Sequence, residues 1–538
     1  MSDDSEKYDN CEDMQYKISE LFEQYKENKE VIQKMNNYIN TLLPRYLEKY
    51  CKNHKNNSND QIKQKCNVFI EDFINKNQYY YISNAEFFIS YDGHNYKIVN
   101  EDIIQYEVLS KITNEKTLIE WKQKIKETII EKIKKNNIMD AVPESFTIQN
   151  IISRFTPIIF ESKNHAKFFL TVIGDILLKK NTKYDKNTFE DLYLIDSYAK
   201  SFVKELSHHI HNFFPYALTI NDIITVNLDD ELSKYFLLKI NKNVEIKELW
   251  NKLFVPHIID LIVVSCHYSH RFKSATNFLT DHCRNMNLVE HSLFLRNNSK
   301  DSIYNKFIMN FEISKDFTYS MIEFSFFWKL FLKDNNLPCD LFKDVFENDM
   351  ISEKYIYENC IDKSKGKLEI NLKNLNFSDN YTFFCNFWDE NVTYKVGDDN
   401  EYEIGELCDL YYENIENMQA SKKYRISEED MLDIIRHFYP STQIENNKTI
   451  LNITCKTWDK SISIIDSIQK LKIKLFSECE TNPITFYSAY KFYCQNYSSN
   501  NKYKKIVNKR FFDKYLVKYI PYIHIENDNI ILPSYWEQ

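Results

Sequence analysis

The chain has 538 residues, 43% of them apolar and 15% aromatic, enough for more than one core, and two to four domains are expected. A formal charge of −9 argues against wholesale coating of nucleic acid while leaving room for a local basic face. The five glycines, Gly93, Gly174, Gly366, Gly397 and Gly405, stand so far apart that no phosphate-cradling GxGxxG or GxxxxGK[ST] loop can be written, which argues against an ATPase, kinase or Rossmann enzyme.

Residues 1–13 are acidic (Asp3, Asp4, Glu6, Asp9, Glu12, Asp13) and are expected to form a disordered tail rather than a signal peptide. A helical pattern starts at Met14 and runs through Ile18, Leu21, Phe22 and Tyr25 to Ile32, Met35, Tyr38 and Leu42 before Pro44. The polar run Lys52–Gln61 reads as a linker, so 14–60 is expected to be a partner-docking arm with its linker. Glu86–Tyr91 and Asn95–Val99 flank Asp92-Gly93 and predict a hairpin, followed by a helix capped by Asn100. Thr117–Lys135, Thr147–Phe155, Ser162–Lys180 and Leu194–Phe213 read as helices.

Lys242–Phe272 is apolar on nearly every face from Ile258 to Val264, with Pro256 breaking it, and predicts a hub onto which other helices pack. The region 61–298 is therefore expected to be an α-helical scaffold, its helices stacked in HEAT-like pairs although no fixed sequence period appears. Residues 299–420 read as an aromatic-rich α/β domain containing the Tyr319–Lys333 helix. In 421–538 the order helix, helix, hairpin occurs around Ser427–Tyr439 and again around Asn508–Tyr519, as in winged helices. The expected fold class is mainly α with small β-hairpins, a helical scaffold followed by winged-helix-like α/β modules.

Three groups of residues bear on function. Tyr16, Leu21 and Phe22, with Ile18 and Tyr25, are apolar side chains beside an acidic tail, suited to helix-in-groove docking; packing of the first helix on its own core is the alternative. Lys504, Lys505, Lys509, Arg510, Lys514 and Lys518 interleave with Tyr503, Phe511, Phe512 and Tyr515 and form a candidate nucleic-acid face, or a solvated basic face on a structural domain. His267, His270, His282 and Cys283 match no common zinc spacing, so no metal and no cofactor is expected. His208, His209 and His211 suit a helix C-terminus. No GxSxG, HExxH or DFG pattern is present, and a non-enzyme is expected. The twelve cysteines hold no CxxC, and the apolar runs Phe168–Leu178 and His257–Cys266 are too short to span a bilayer, so no membrane contact and a cytoplasmic location are expected.

The segment Tyr16-Lys17-Ile18-Ser19-Glu20-Leu21-Phe22 resembles the YxxxxLΦ peptide by which initiation factor 4G scaffolds dock on the cap-binding protein, initiation factor 4E. Tyr402–Cys408 is a weaker echo. The resemblance covers seven residues and implies a translation-initiation adaptor with a 4E-type partner and an RNA helicase of the 4A type as a second one. The abundance of Lys, Asn, Ile, Tyr and Phe resembles proteins of large nucleocytoplasmic DNA viruses, which implies a host cytoplasm or viral-factory setting. The C-terminal region is similar to that of poxvirus-type primase-helicases, without their motor, which implies a DNA- or RNA-binding accessory as the other reading.

Overall fold

The computed structural model describes residues 11–113, 116–180, 189–215, 219–242, 250–314, 316–352, 361–362, 369–394, 400–417, 422–478, 482–499, 505–527 and 529–536. Helix makes up 64% of the structure and strand 12%, in short sheets, so the protein is mainly α with small β elements, as its patterning predicts. Among the described residues no helix is long and apolar enough to cross a membrane. Two compact units form, Met1–Ile303 with Asn336–Phe342, and Tyr304–Asn335 with Lys343–Gln538.

The first unit opens with α1 (Cys11–Gln24), α2 (Lys29–Asn37) and α3 (Leu43–Lys76), a π-turn at Tyr38–Leu42 joining the last two. Residues 1–10 of the acidic tail lie outside the described residues. The linker expected at Lys52–Gln61 is corrected: its backbone is the middle of α3. That run is polar but holds neither Gly nor Pro, so nothing in it stops a helix. The last turns of α3 bury Cys66, Ile70 and Phe73 against α4 (Glu101–Thr113) and α5 (Lys122–Lys135), through Ile104, Val108, Ile125 and Ile129.

The expected hairpin forms as β2 (Phe87–Tyr91) and β3 (Tyr96–Val99), with β1 (Gln78–Ile82) added antiparallel to β2. Gly93 takes φ +87° in the turn, and the Asp92 carboxylate accepts from the backbone N–H groups of His94 and Asn95.

The larger core of this unit lies around α6 (Ser145–Phe155), α7 (Lys163–Leu177), α8 (Lys200–His211) and α9 (Ile258–Phe272), with a parallel sheet of β4 (Leu192–Leu194) between β5 (Ile224–Thr225) and β6 (Tyr235–Leu237). The chain turns through π and 3-10 geometry from Trp250 to His257, and α9 starts two residues after Pro256. Helix α9 packs on α6, α7, α8 and β3, and residues from Ile82 to Leu288 pool into one core. It is a hub, as its all-round apolar sequence predicts, and the HEAT-like row of pairs is replaced by it. In a solenoid each repeat meets only its neighbours, whereas here one central helix packs on three others and a strand.

Polar groups are buried in this hub in paired form. Asp260 accepts from the Tyr96 backbone N–H (2.7 Å) and from His257 Nδ1 (2.9 Å), while Arg154 donates to His257 Nε2 and to the Leu253 carbonyl. Asp175 accepts from Ser269 Oγ (2.5 Å) and the Ala275 N–H (2.6 Å), yet burial still pushes its carboxyl up to about 6. A carboxyl raised on folding holds its proton more tightly in the folded state. Its burial therefore opposes folding above about pH 6, by about 3 kcal/mol, and the penalty vanishes as pH falls towards about 4. The stability difference between Asp175→Asn and the parent protein should accordingly favour the variant more at neutral pH than at pH 4; a difference in melting temperature that does not change with pH would contradict the buried charge.

The second unit consists of three modules of one topology. The first is α11 (Lys300–Ile308, in this unit from Tyr304), β8 (Tyr319–Ser320), α12 (Met321–Asp334), α13 (Phe346–Ile351), β9 (Ile361–Asp362) and β10 (Glu369–Ile370). Here α10 (Met286–Ser292) is the last long helix of the first unit, and β7 (Phe311–Ile313) pairs with β11 (Leu372–Asn374) at the module's edge. The second module is α14 (Asn380–Asn391), β13 (Glu401–Glu403), α15 (Ile404–Asn417), α16 (Glu428–Phe438), β14 (Gln443–Glu445) and β15 (Thr449–Leu451), with β12 (Val392–Tyr394) on β16 (Ile453–Cys455) as its edge pair. The third is α17 (Lys460–Glu478), β17 (Ile484–Thr485), α18 (Phe486–Ser499), α19 (Lys509–Tyr519), β18 (Ile525–Glu526) and β19 (Ile530–Ile531).

In each module the first strand pairs with the third and the third with the second, β8-β10-β9, β13-β15-β14 and β17-β19-β18. The modules begin at intervals of about 80 residues. Each first strand ends on a residue capped three positions later: Ser320 with Glu323, Glu403 with Glu406, Thr485 with Ser488. Four and eight residues after that cap the buried side chains are Phe324 and Trp328, Leu407 and Tyr411, Ala489 and Tyr493. The arrangement is that of a winged helix, three times over. The boundary expected at 420/421 is therefore displaced: it falls between the second and third helices of the middle module.

Candidate functional site

The most unusual surface is the N-terminal arm. From Met14 to Cys51 no residue is buried, while Met14, Tyr16, Ile18, Leu21, Tyr25, Tyr38, Leu42, Leu43, Tyr46, Leu47 and Tyr50 are exposed. The last turns of α3 tie the arm to the unit's core through the buried Cys66, Ile70 and Phe73, with Ile62 packed partly buried against them, and the helical run from Lys29 to Gln61 is roughly 50 Å long at 1.5 Å per residue. Asn28 caps α2 by accepting from the Val31 N–H, and a turn at Tyr25–Asn28 separates α2 from α1. Across α2, the π-turn and α3, Ile32, Met35, Ile39, Leu42, Tyr46 and Tyr50 recur at three- and four-residue steps. Stripes of this kind normally bury against something.

Tyr16 is 73% exposed and Leu21 43%, with Phe22 half-buried. Ile18, Leu21 and Phe22 share one face of α1, and Tyr25 follows in the turn after it. Tyr16 does not: at 3.6 residues per turn, Leu21 and Phe22 lie about 140° and about 120° around the helix from it. In this continuous helix the three side chains of the peptide therefore do not point to one side. A groove gripping all three requires the turn around Tyr16 to leave α1. The weaker echo is buried instead, since Tyr402 donates its hydroxyl to the Trp458 carbonyl inside the middle module.

Four of the basic C-terminal residues stand beside acids. Lys509 pairs with Asp513 (2.6 Å), Lys514 with Glu401 (2.9 Å), Lys505 with Glu413 (3.5 Å) and Arg510 with Glu445 (3.7 Å). Three of those acids, Glu401, Glu413 and Glu445, belong to the middle module, while the side chains of Lys509, Arg510 and Lys514 stay 47%, 70% and 46% exposed. Lys518 is exposed in the last turn of α19, and Lys504 lies outside the described residues. The corresponding third helices of the other two modules carry acids, Glu347 and Asp349 in α13 and Glu428, Glu429, Asp430 and Asp433 in α16, which would repel a phosphate backbone.

The histidines are also dispersed. His270 lies 3.7 Å from Asp140, His282 stacks on Phe272, and Cys283 donates to the Asn285 carbonyl. Among the described residues no group of three His, Cys, Asp or Glu side chains could hold a metal ion. His208, His209 and His211 occupy the last turn of α8, where His211 Nδ1 meets the Pro215 carbonyl.

Two groups carry no local sequence signal. Lys460 is buried where the middle and third modules meet, its ammonium 2.5 Å from Glu406 and over the rings of Tyr402, Phe511 and Trp458. Lys239 lines a cavity with residues drawn from Glu161 to Asn336. Charged residues far apart in the chain give no periodic pattern, so only folding brings them together.

Fold and arm together define a mainly α-helical protein with an unpartnered apolar arm, a helical hub and three winged-helix modules in tandem. No protein-family model, curated protein or solved structure matches the chain.

Proposed function

We propose that the chain is a non-catalytic interaction scaffold whose N-terminal arm docks a protein partner. The supporting observation is the arm itself: eleven large apolar side chains are exposed between Met14 and Tyr50, and no residue from Met14 to Cys51 is buried. An apolar stripe of that extent is matched by an apolar groove on another protein. The specific form of the proposal is an adaptor of the initiation factor 4G kind. Its Tyr16, Leu21 and Phe22 engage a cap-binding protein of the 4E type, with Ile18 and Tyr25 alongside, and the helical unit offers a surface to an RNA helicase of the 4A type.

Titrating the full chain with a 4E-type protein tests this form. Tyr16→Ala and Leu21→Ala should each weaken binding at least about tenfold, as loss of an interface anchor does. The melting temperature should stay put, because neither side chain is buried. Amide exchange around Tyr16 should change on binding, since α1 must open there. Binding indifferent to both substitutions ends the cap-binding form, and self-association of the free chain in sedimentation would assign the arm to a second copy.

The other reading is a DNA- or RNA-binding accessory acting through Lys504, Lys505, Lys509, Arg510, Lys514 and Lys518. It predicts affinity for nucleic acid that falls steeply with salt. The acid partners around α19 weigh against it, and the expected result is weak, non-specific binding.

A further inference from the structure

At the start of α7 the first unit holds a polar cavity of about 380 Å³, lined by Glu161, Ser162, His165, Lys239, His291 and three asparagines, Asn285, Asn287 and Asn336, with Leu288 at its apolar side. The volume falls within the range of roughly 300–1,000 Å³ usual for small-molecule sites. Lys239 supplies the fixed charge. Its ammonium donates to the neutral Asn336 amide (2.9 Å), and no ion pair engages it among the described residues.

The N-terminus of α7 opens on the same space. Ser162 occupies the capping position, yet its side chain makes no capping bond: it is hydrogen-bonded to His165 Nδ1 at 2.8 Å. The first-turn N–H groups of this fifteen-residue helix are thus left without a side-chain acceptor. His165 keeps Nε2 for the cavity. His291 has no hydrogen-bond partner among the described residues.

Burial, then Lys239 and His165, push His291 down to about 4. Burial and Lys239 also lower His165, against the opposing pull of Glu161, which stands exposed at the rim. The cavity thus presents one uncompensated ammonium, two imidazoles, asparagine amides and helix N–H groups, with a single solvated carboxylate at its edge. Such a donor set is short of an anion.

We propose that this cavity binds the phosphate group of a small phosphorylated metabolite, with Lys239, His165 and the first turn of α7 around the phosphate and Asn285, Asn287 and His291 along the remainder. A tetrahedral anion with several acceptor oxygens uses donors arriving from three elements, which a planar carboxylate does less well. The volume leaves room for a group attached to the phosphate.

Calorimetric titration of the full chain with inorganic phosphate, glucose 6-phosphate and citrate tests the assignment, with circular dichroism as the check on folding. Glucose 6-phosphate is expected to bind, inorganic phosphate more weakly and citrate least. Lys239→Gln should weaken phosphomonoester binding at least about tenfold. His291→Gln serves as the second variant should Lys239→Gln fold poorly, and it should reduce affinity for glucose 6-phosphate more than for inorganic phosphate. Absence of binding by the parent protein, binding untouched by a folded variant, or citrate binding as tightly as the phosphomonoester would each overturn the proposal.

Discussion

Replacing Gly174 by alanine is expected to destabilise the first unit by about 3 kcal/mol or more, even though alanine is the better helix former. A Cβ at this position would stand 2.1 Å from the Ser265 carbonyl oxygen, 2.6 Å from its carbon and 2.8 Å from Ser269 Cβ. Two of those three atoms are backbone of α9, so no rotamer change relieves the clash; the two helices must part by more than about 1 Å to reach ordinary contact. Parting them loosens the central contact of the hub and disturbs the Asp175–Ser269 bond beside it. The melting temperature should drop by about 6 °C or more in near-UV circular dichroism. Gly93→Ala is the matched control. Nothing lies within 4 Å of its Cβ position, and only the strain of φ +87° remains, at a cost of about 1 kcal/mol. Equal losses at the two sites would refute the close-approach argument.

The second large effect is an asymmetry at Lys460. Its side chain is 1% exposed, held by Glu406 Oε2 and the Glu401 carbonyl (2.9 Å) at the joint between the middle and third modules. Burial pulls its pKa down, and Glu406 with Glu401 and Glu403 holds it up. Glu406→Gln removes the main counter-charge, leaves an ammonium in an aromatic cage, and should cost about 3–5 kcal/mol. Lys460→Met fills the same space without a charge and should cost far less, because Glu406 is partly exposed and keeps its bond from the Glu403 N–H. A lysine whose pKa is depressed on folding binds fewer protons in the folded state, so stability rises with pH until the unfolded value is passed. The Glu406→Gln variant should therefore recover part of its loss in urea titrations as pH is raised towards about 10. If Lys460→Met proves the worse of the two, the ion pair stabilises the joint by more than desolvation costs it.

Features written in a few consecutive residues were legible beforehand: the Asp92-Gly93 hairpin, the break at Pro256 and the all-round apolar run of α9. These follow from backbone sterics, local hydrogen bonds and a hydrophobic period, all acting within one or two turns. The middle module was half legible, because α16 and its hairpin carry strong signals while β13 is three residues long and needs β15 to exist. The same dependence hid the threefold repeat, whose strands of two or three residues are defined by pairing and whose common buried positions are filled by Phe, Trp, Leu, Tyr and Ala in turn. Lys52–Gln61 looked like a linker because it is polar, and polarity alone does not stop a helix.

The arm's exposed aromatic and aliphatic side chains were visible as candidates from their spacing, but their freedom from any core was not. Whether an amphipathic stripe folds back or stands clear depends on what the rest of the chain leaves uncovered. The basic residues of α19 were counted correctly and placed wrongly in electrostatic terms, since Glu401, Glu413 and Glu445 come from a different module. Sequence by itself determined the mainly α class, the hub and the apolar arm, because each is a matter of period and composition. Tertiary structure alone decided the repeat of modules, the acids beside the basic helix, the close crossing at Gly174 and the cavity around Lys239, because each rests on a contact between residues that the chain keeps far apart.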